Sequence, residues 1–292
     1  MSWVIYHAIE QYRNTTKKRE LKLADAIASN NPVLVKKLLN LGVDPNVKIV
    51  GQHCEPIIFL SFEKSWFILP RTKIDNPDRH SYQVTAKPEC LRLLLEHGAA
   101  PNQRDSLGRT VLEIAIVWCL PEVVKLLLLY GANPNLRDAK GRTPLIKAAI
   151  LGVRDARPMQ HKLKIMMDLL DSGAEIDART PDGKTALMHA VGHSRLEVVK
   201  FLVSSGASVT ISDRQGNQAR DIISRGSTIQ QQQYLRQILN QPQVDISKYK
   251  YQYREYIPEG DRQLAPIIRQ NNHKRDFDNI PRSYNQGDRL SS

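Results

Sequence analysis

The stretch Leu126–Leu145 reads LLLLYGANPNLRDAKGRTPL, and its pattern returns twice elsewhere in the chain. Residues 93–112 read LLLEHGAAPNQRDSLGRTVL, and residues 201–219 read FLVSSGASVTISDRQGNQA. The five glycines that end such apolar runs are separated by 56, 33, 42 and 33 residues. They are Gly42, Gly98, Gly131, Gly173 and Gly206. Two of these intervals share one period, and self-similarity at such a period indicates a stack of repeats.

Each repeat carries signals for two short helices. Leucines and valines recur at helical spacing in Val123–Leu129 and in Val198–Val203. A glycine follows each second helix, and glycine adopts the left-handed conformation that helix ends require. Thr143 and Pro144 open the next helix, because threonine caps a helix and proline fits its first position.

Several short motifs carry a family resemblance. They are Thr-Pro-Leu at 143–145, its degraded copies at 110–112 and 185–187, Ala148-Ala149, Glu-Val-Val-Lys at 122–125 and 197–200, and the glycine-containing phrases at 131–135 and 138–142. With these motifs the chain resembles the ankyrin-repeat family over roughly residues 21–240. The resemblance implies an all-α solenoid of helix-turn-helix units. Hairpin-like fingers would join the units, and the fingers and first helices would line a concave side.

The repeat spacing also predicts the domain organisation. We expect an ankyrin-repeat domain of five to six units at 21–242, a helical extension at 1–20, and an extended or disordered tail at 243–292. The sixth unit, Asp213–Asn240, is expected to be a terminal cap. Its second helix is polar, as the outer face of a terminal repeat must be.

Two insertions interrupt the regular spacing, near 64–86 and near 153–161. Both are expected between the first and second helix of a unit, at the edge opposite the fingers. The longer insertion contains Trp66 and Phe67. Loops of this length are uncommon. It could fold back as local core, contact a partner, or be disordered.

Both ends of the chain contain aromatic clusters. Trp3, Tyr6, Ile9 and Tyr12 would share one face of a short helix, which could be an extra N-terminal cap or a docking helix for a partner. In the tail, Tyr249, Tyr251 and Tyr253 would share one face of an extended strand. That strand could bind back onto the solenoid, order on a partner, or stack on single-stranded nucleic acid.

Composition narrows the class of protein. The net charge is +12 with a pI near 9.6, which favours an acidic partner. Three widely spaced cysteines, Cys54, Cys90 and Cys119, do not form a disulfide framework and indicate a reducing cytoplasm. Neither a secretory signal nor an apolar run of membrane-spanning length is present in the sequence.

The sequence gives little support for catalysis or metal binding. It contains no glycine-rich phosphate loop, Gly-x-Ser-x-Gly or His-Glu-x-x-His motif. His189 and His193 could share a helix face, and His53 precedes Cys54, but two ligands make a weak metal site. Cys119 has no evident base beside it. We therefore expect no enzyme activity, no cofactor and no metal.

The resemblance implies that partners contact the finger tips and the late positions of each first helix. In this sequence the finger positions are Arg104, Leu107, Arg109, Arg137, Lys140, Arg142, Arg179, Lys184 and Arg214. The first-helix positions are Val117, Trp118, Ile150, Leu151 and His193. The four apolar members are expected to form an exposed patch rimmed by arginines, the composition of a binding hot spot. A solvated basic edge without a partner is the alternative.

The leading interpretation is a non-enzymatic scaffold or adaptor that binds a protein partner with acidic and apolar contact residues. The insertion at 64–86 and the tail would be secondary contacts. Two alternatives stay open: a basic nucleic-acid-associated repeat protein, and a secreted bacterial-type effector or enzyme regulator.

Overall fold

In the computed structural model, residues 17–49, 55–62, 86–151, 159–223 and 228–240 are described. The α-helices of these residues are α1 at 17–28, α2 at Pro32–Asn40, α3 at Pro88–Glu96, α4 at Val111–Val117, α5 at Pro121–Leu129, α6 at Pro144–Ile150, α7 at Met159–Asp171, α8 at Ala186–Gly192, α9 at Leu196–Ser204 and α10 at Ile229–Asn240. Two 3₁₀ helices cover Ile57–Ser61 and Ala219–Ile222. Strands β1 (Lys48–Ile49) and β2 (Glu55–Pro56) pair antiparallel.

The helices form two layers, which confirms the predicted all-α solenoid. In the layer of first helices, α4 packs against α6, α6 against α8, and α8 against the second 3₁₀ helix. In the layer of second helices, α2 packs against α3, α3 against α5, and α5 against α7. Contacts between α4 and α5, α6 and α7, and α8 and α9 join the layers within each repeat. The apolar core lies between the two layers.

Threonine caps fix the start of three first helices. The side chains of Thr110, Thr143 and Thr185 accept hydrogen bonds of 3.2, 3.4 and 3.3 Å from the amide three residues later. Each cap satisfies one of the amides that the first turn leaves without a helical partner. Gly131 follows α5 with φ +87°, a conformation that other residues adopt at a cost. The threonine therefore fixes where the first helix of a pair begins, and the glycine fixes where the second helix ends.

The shorter insertion is partly helical. Helix α7 has thirteen residues, whereas α5 and α9 have nine each. The chain between α6 and α7 is also longer than the three-residue links that precede α5 and α9. Four of the extra residues therefore add about one turn to the start of α7.

The longer insertion begins and ends at neighbouring points of the second repeat. Phe62 and Ala86 form an antiparallel bridge, and the amide of Lys87 donates to the carbonyl of Ser61 over 2.8 Å. The chain that joins them lies outside the described residues. The same holds for Trp66 and Phe67, for Tyr249, Tyr251 and Tyr253, for His53 and Cys54, and for the apolar positions of residues 1–12.

Candidate partner-binding surface

An aspartate closes the turn of each of two central fingers. In one, the Oδ1 atom of Asp138 accepts from the amides of Lys140 and Arg142, both over 2.9 Å. Its Oδ2 atom accepts from the Arg142 guanidinium over 2.7 Å. In the preceding finger, Asp105 makes the same contacts with the amides of Leu107 and Arg109 and with the Arg109 guanidinium.

Arg109 and Arg142, both predicted to contact a partner, are engaged within their own fingers. Both side chains are half-buried, and each is paired with the aspartate of its own finger. Their charges are therefore largely compensated inside the finger. Both arginines stabilise the finger in which they lie.

The pKa of Asp138 reflects this pairing. Burial raises the pKa, but the hydrogen bonds from Arg142 and the charge of Lys147 outweigh burial and lower it to about 2. Asp138 is therefore ionised at any physiological pH. The finger keeps its closing ion pair under those conditions.

Three other finger arginines link successive fingers; we call them the arginine ladder. The guanidinium of Arg104 donates to the carbonyl of Arg137 over 2.8 Å, and that of Arg137 donates to the carbonyl of Arg179 over 2.7 Å. Arg179 in turn donates to the carbonyl of Ser212. Each of the three also donates to the carbonyl of a glycine in its own finger. The ladder thus fixes three exposed arginines in a row, one per repeat.

The charge of this ladder is only partly compensated. Within the described residues, Arg137 and Arg179 donate to uncharged carbonyl oxygens, and neither forms a salt bridge. Arg104 lies 3.8 Å from a carboxylate oxygen of Glu113. Carbonyl groups orient a guanidinium without cancelling its charge. The row therefore presents positive charge in a fixed geometry, which favours an anionic group of matching spacing.

A buried ion pair joins two first helices beneath the ladder. The Nζ atom of Lys147 in α6 lies 2.8 Å from the Oε2 atom of Glu113 in α4. The two side chains are 13% and 3% exposed, so the pair is largely removed from water. Lys147 also lies 3.4 Å from Asp138. Neither residue is among the predicted site positions, because the two partners are 34 positions apart in the sequence.

The apolar half of the predicted surface requires correction. Val117, Trp118, Ile150 and Leu151 are half-buried, and the last three pack against the core. Trp118 caps the C-terminus of α4, and its indole nitrogen is shielded from solvent. The four side chains therefore contribute to folding and do not form an open apolar patch.

Four of the five remaining predicted positions are exposed. Leu107 is 41% exposed at a finger tip, and Lys140, His193 and Arg214 are also exposed. Lys184 is half-buried and lies 3.4 Å from Asp182. The accessible surface is thus mainly cationic, with Leu107 as its exposed apolar side chain among the predicted positions.

The histidine pair does not assemble a metal site with other residues of the described chain. Burial lowers the pKa values of both His189 and His193, and the charge of Arg195 adds to the effect on His193. In the described residues, no cluster of three or more histidines, cysteines or acidic residues is placed to hold a metal ion. Because burial lowers the two pKa values, both rings are neutral at neutral pH.

An asparagine ladder, which the sequence analysis missed, also connects the fingers. The side chain of Asn46 donates to the carbonyl of Gly98 over 3.1 Å and accepts from the amide of Ala100 over 2.8 Å. Asn102 and Asn135 make the same two contacts one repeat further on. The recurring Asn of the Pro-Asn phrase was the available signal. These side chains set the spacing of the surface that the arginines line.

Comparison with known proteins identifies the repeats. Residues 80–138 and 119–213 match the family model for ankyrin repeats (3 copies). A curated relative, the B-cell lymphoma 3 protein homolog of Mus musculus, is 30% identical over 145 residues. The aligned region covers 48% of this chain and 30% of that relative, so the chain spans less than a third of the relative's length. Of the described helices, none is long and apolar enough to cross a bilayer.

Proposed function

Residues 80–213 of this chain are ankyrin repeats, and on that premise we propose that the chain is a non-enzymatic adaptor for an acidic protein partner. Ankyrin repeats generally mediate protein–protein interaction. The observation that supports the finer proposal is the arginine ladder, in which Arg137 and Arg179 have fixed geometry and uncompensated charge. The partner would place carboxylates along the fingers, one per repeat.

Exposed neighbours of the ladder extend this surface. Lys140 adds positive charge at the tip of the finger that contains Arg137, and Arg214 adds positive charge in the finger that follows the one with Arg179. Leu107 adds an apolar contact. His193 is neutral at neutral pH and lies at the first-helix side. An interface of this composition gains speed and specificity from electrostatic complementarity, and its anchors would be the guanidinium groups.

The compartment and the secondary contacts are part of the same proposal. Within the described residues, the Cys90 thiol forms no disulfide, which fits a reducing cytoplasm. The insertion at 64–86 and the tail at 243–292 would make additional partner contacts. Because the chain spans so little of its curated relative, the activity and partners of that protein are not transferred to it.

Affinity capture with the intact chain tests the proposal. We expect the wild-type chain to retain a protein partner and the Arg137→Gln/Arg179→Gln double variant to lose it. The matched control is Lys36→Gln/Arg236→Gln, which removes two exposed charges outside the fingers. Equal retention by the two double variants would contradict the proposed surface.

The same capture distinguishes a nucleic-acid partner. A basic row could attract a phosphate backbone, and such binding falls steeply with added salt. We expect no retention of RNA or DNA at physiological salt after nuclease-free washing. If the chain retains RNA or DNA while no protein is captured, that result would overturn the adaptor proposal.

A further inference from the structure

The first repeat carries apolar side chains that no described element covers. Among the described residues, four of the seven well-exposed large apolar side chains lie in this repeat. They are Leu21, Val33, Leu34 and Leu41, with exposed fractions of 53%, 79%, 37% and 55%. Several exposed large apolar side chains on one terminal unit indicate a surface that another segment covers.

Comparison with the other repeats identifies the missing neighbour. Leu34 is the third residue of α2, and the third residues of α3, α5 and α9 are Cys90, Val123 and Val198. Those three counterparts are at most 3% exposed. Helices α3 and α5 each pack against the second helix of the preceding repeat, whereas no described helix precedes α1 and α2. Leu34 thus occupies a core position without its covering element.

Val33 supports the same conclusion by its residue type. The second residues of α3, α5 and α9 are Glu89, Glu122 and Glu197, all of them exposed. In α2 this position is a valine instead of a charged residue. An apolar residue gains stability at this position only if the face is buried.

The course of α1 places the preceding chain near this face. Leu21 lies as many residues before the start of α2 as the capping residue Thr110 lies before the start of α5. Leu21 therefore holds the position that Thr110 holds in the third repeat. The first helix of the third repeat begins only after Thr110, but α1 is already helical at residue 17. The chain that precedes residue 17 is therefore connected to α1 about one turn before Leu21.

We propose that residues 1–12 form a helix that docks on this face of α1 and α2. Ile5, Ile9 and Tyr12 are four and three residues apart, which places them in one stripe of a helix. A twelve-residue helix is about 18 Å long, longer than the roughly 14 Å of the nine-residue α2, and residues 13–16 would link it to α1. The stripe would cover Leu34 as a preceding repeat covers the counterparts of Leu34 elsewhere, and it would extend over the neighbouring Val33.

A segment of the same chain fits this face better than a second copy does. The segment is tethered at residue 17, so its effective concentration reaches the millimolar range. A stable dimer buries about 800 Å² on each partner, and four separate, partly exposed side chains supply much less. The docking helix is independent of the arginine ladder and of the partner that the ladder binds.

Hydrogen exchange on the intact chain tests this proposal, with Ile9→Asp as the variant. Gln11→Asp is the control, because it adds the same charge away from the apolar stripe. In the wild type and the control, we expect the amides of residues 3–12 to exchange at least tenfold more slowly than an unstructured peptide. Ile9→Asp should abolish that protection and speed exchange in residues 32–41, with residues 186–204 unchanged.

Three results would overturn the docking helix. The first is exchange of residues 3–12 at the unstructured rate in the wild type. The second is protection that grows with protein concentration, because it would assign the face to a second copy. The third is equal loss of protection in Ile9→Asp and Gln11→Asp.

Discussion

The carboxylate of Asp177 accepts a hydrogen bond of 3.0 Å from the amide of Ser208, which joins two neighbouring fingers. Asp177 holds the place that Asn135 holds one repeat earlier. Asn135 both accepts from an amide and donates to the carbonyl of Gly173, over 2.9 Å. A carboxylate has no hydrogen to donate, so the ladder loses one contact at this step.

Asp177→Asn should restore that contact and stabilise the protein. A net hydrogen bond contributes about 1 kcal/mol to the free energy of unfolding. We expect a gain of this size in urea denaturation, with an unchanged slope. Asn135→Ala is the matched opposite, because it removes two contacts and should cost about 2 kcal/mol. A destabilised Asp177→Asn variant would show that the ladder does not transmit stability between fingers.

The ion pair of Glu113 and Lys147 should be strongly coupled. Glu113→Ala leaves the largely buried Lys147 ammonium without its closest carboxylate and should cost about 3 kcal/mol. Lys147→Met alone should cost a similar amount. The double variant should cost clearly less than the sum, and a double-mutant cycle by chemical denaturation measures the difference. Simple additivity would contradict the pairing.

Asp138 should make stability depend on acid pH. Its pKa of about 2 in the folded protein lies below the value of about 3.9 in an unfolded chain. The stabilisation is therefore complete above about pH 4 and is lost as the pH falls through about 2. The difference in unfolding free energy between wild type and Asp138→Asn should shrink by about 2 kcal/mol over that window. A constant difference would rule out this linkage.

Asp168 should act in the opposite direction. Burial raises its pKa to about 6, so the folded state binds a proton that the unfolded state releases. Stability contributed by this group is greatest below about pH 4 and is lost as the pH rises through about 6. Asp168→Asn should therefore stabilise the protein more at pH 7.5 than at pH 5, by about 1.4 kcal/mol. Thermal unfolding at the two pH values is the test, and an equal effect at both would argue against a raised pKa.

Trp118 is expected to matter for folding and not only for binding. It is half-buried and packs against the core. Trp118→Ala should lower the free energy of unfolding by about 2 kcal/mol. The sequence-based expectation is that Trp118 belongs to an exposed apolar patch. An unchanged unfolding curve would contradict the packing of Trp118 against the core.

The helix pairs and their order could be predicted because each repeat states its own boundaries. Thr143 caps a helix start and Gly131 ends a helix, and both signals are local. The surface could not be predicted at the same level. Whether the charge of Arg142 or Arg137 is compensated depends on whether carboxylate or carbonyl oxygens accept its hydrogen bonds. Those oxygens come partly from the next finger, 42 residues away in the case of Arg137.

The packing of Trp118 against the core could not be predicted for a related reason. Its position in the repeat is open to solvent when small or polar residues occupy it, but a large indole reaches the core. The link of Glu113 to Lys147 crosses between repeats and leaves no periodic mark, because other first helices carry different residues there.

The most direct test of the adaptor proposal is the affinity of the captured partner for the Arg137→Gln/Arg179→Gln variant, measured by calorimetry. The same measurement is made on the wild type, on Arg137→Lys/Arg179→Lys and on the control Lys36→Gln/Arg236→Gln. The account predicts at least tenfold weaker binding by the glutamine variant at 150 mM salt, an intermediate loss for the lysine variant, and no loss for the control. Charge without the planar fork should retain only part of the interaction. Wild-type affinity in the glutamine variant, with its fold intact, would contradict the account.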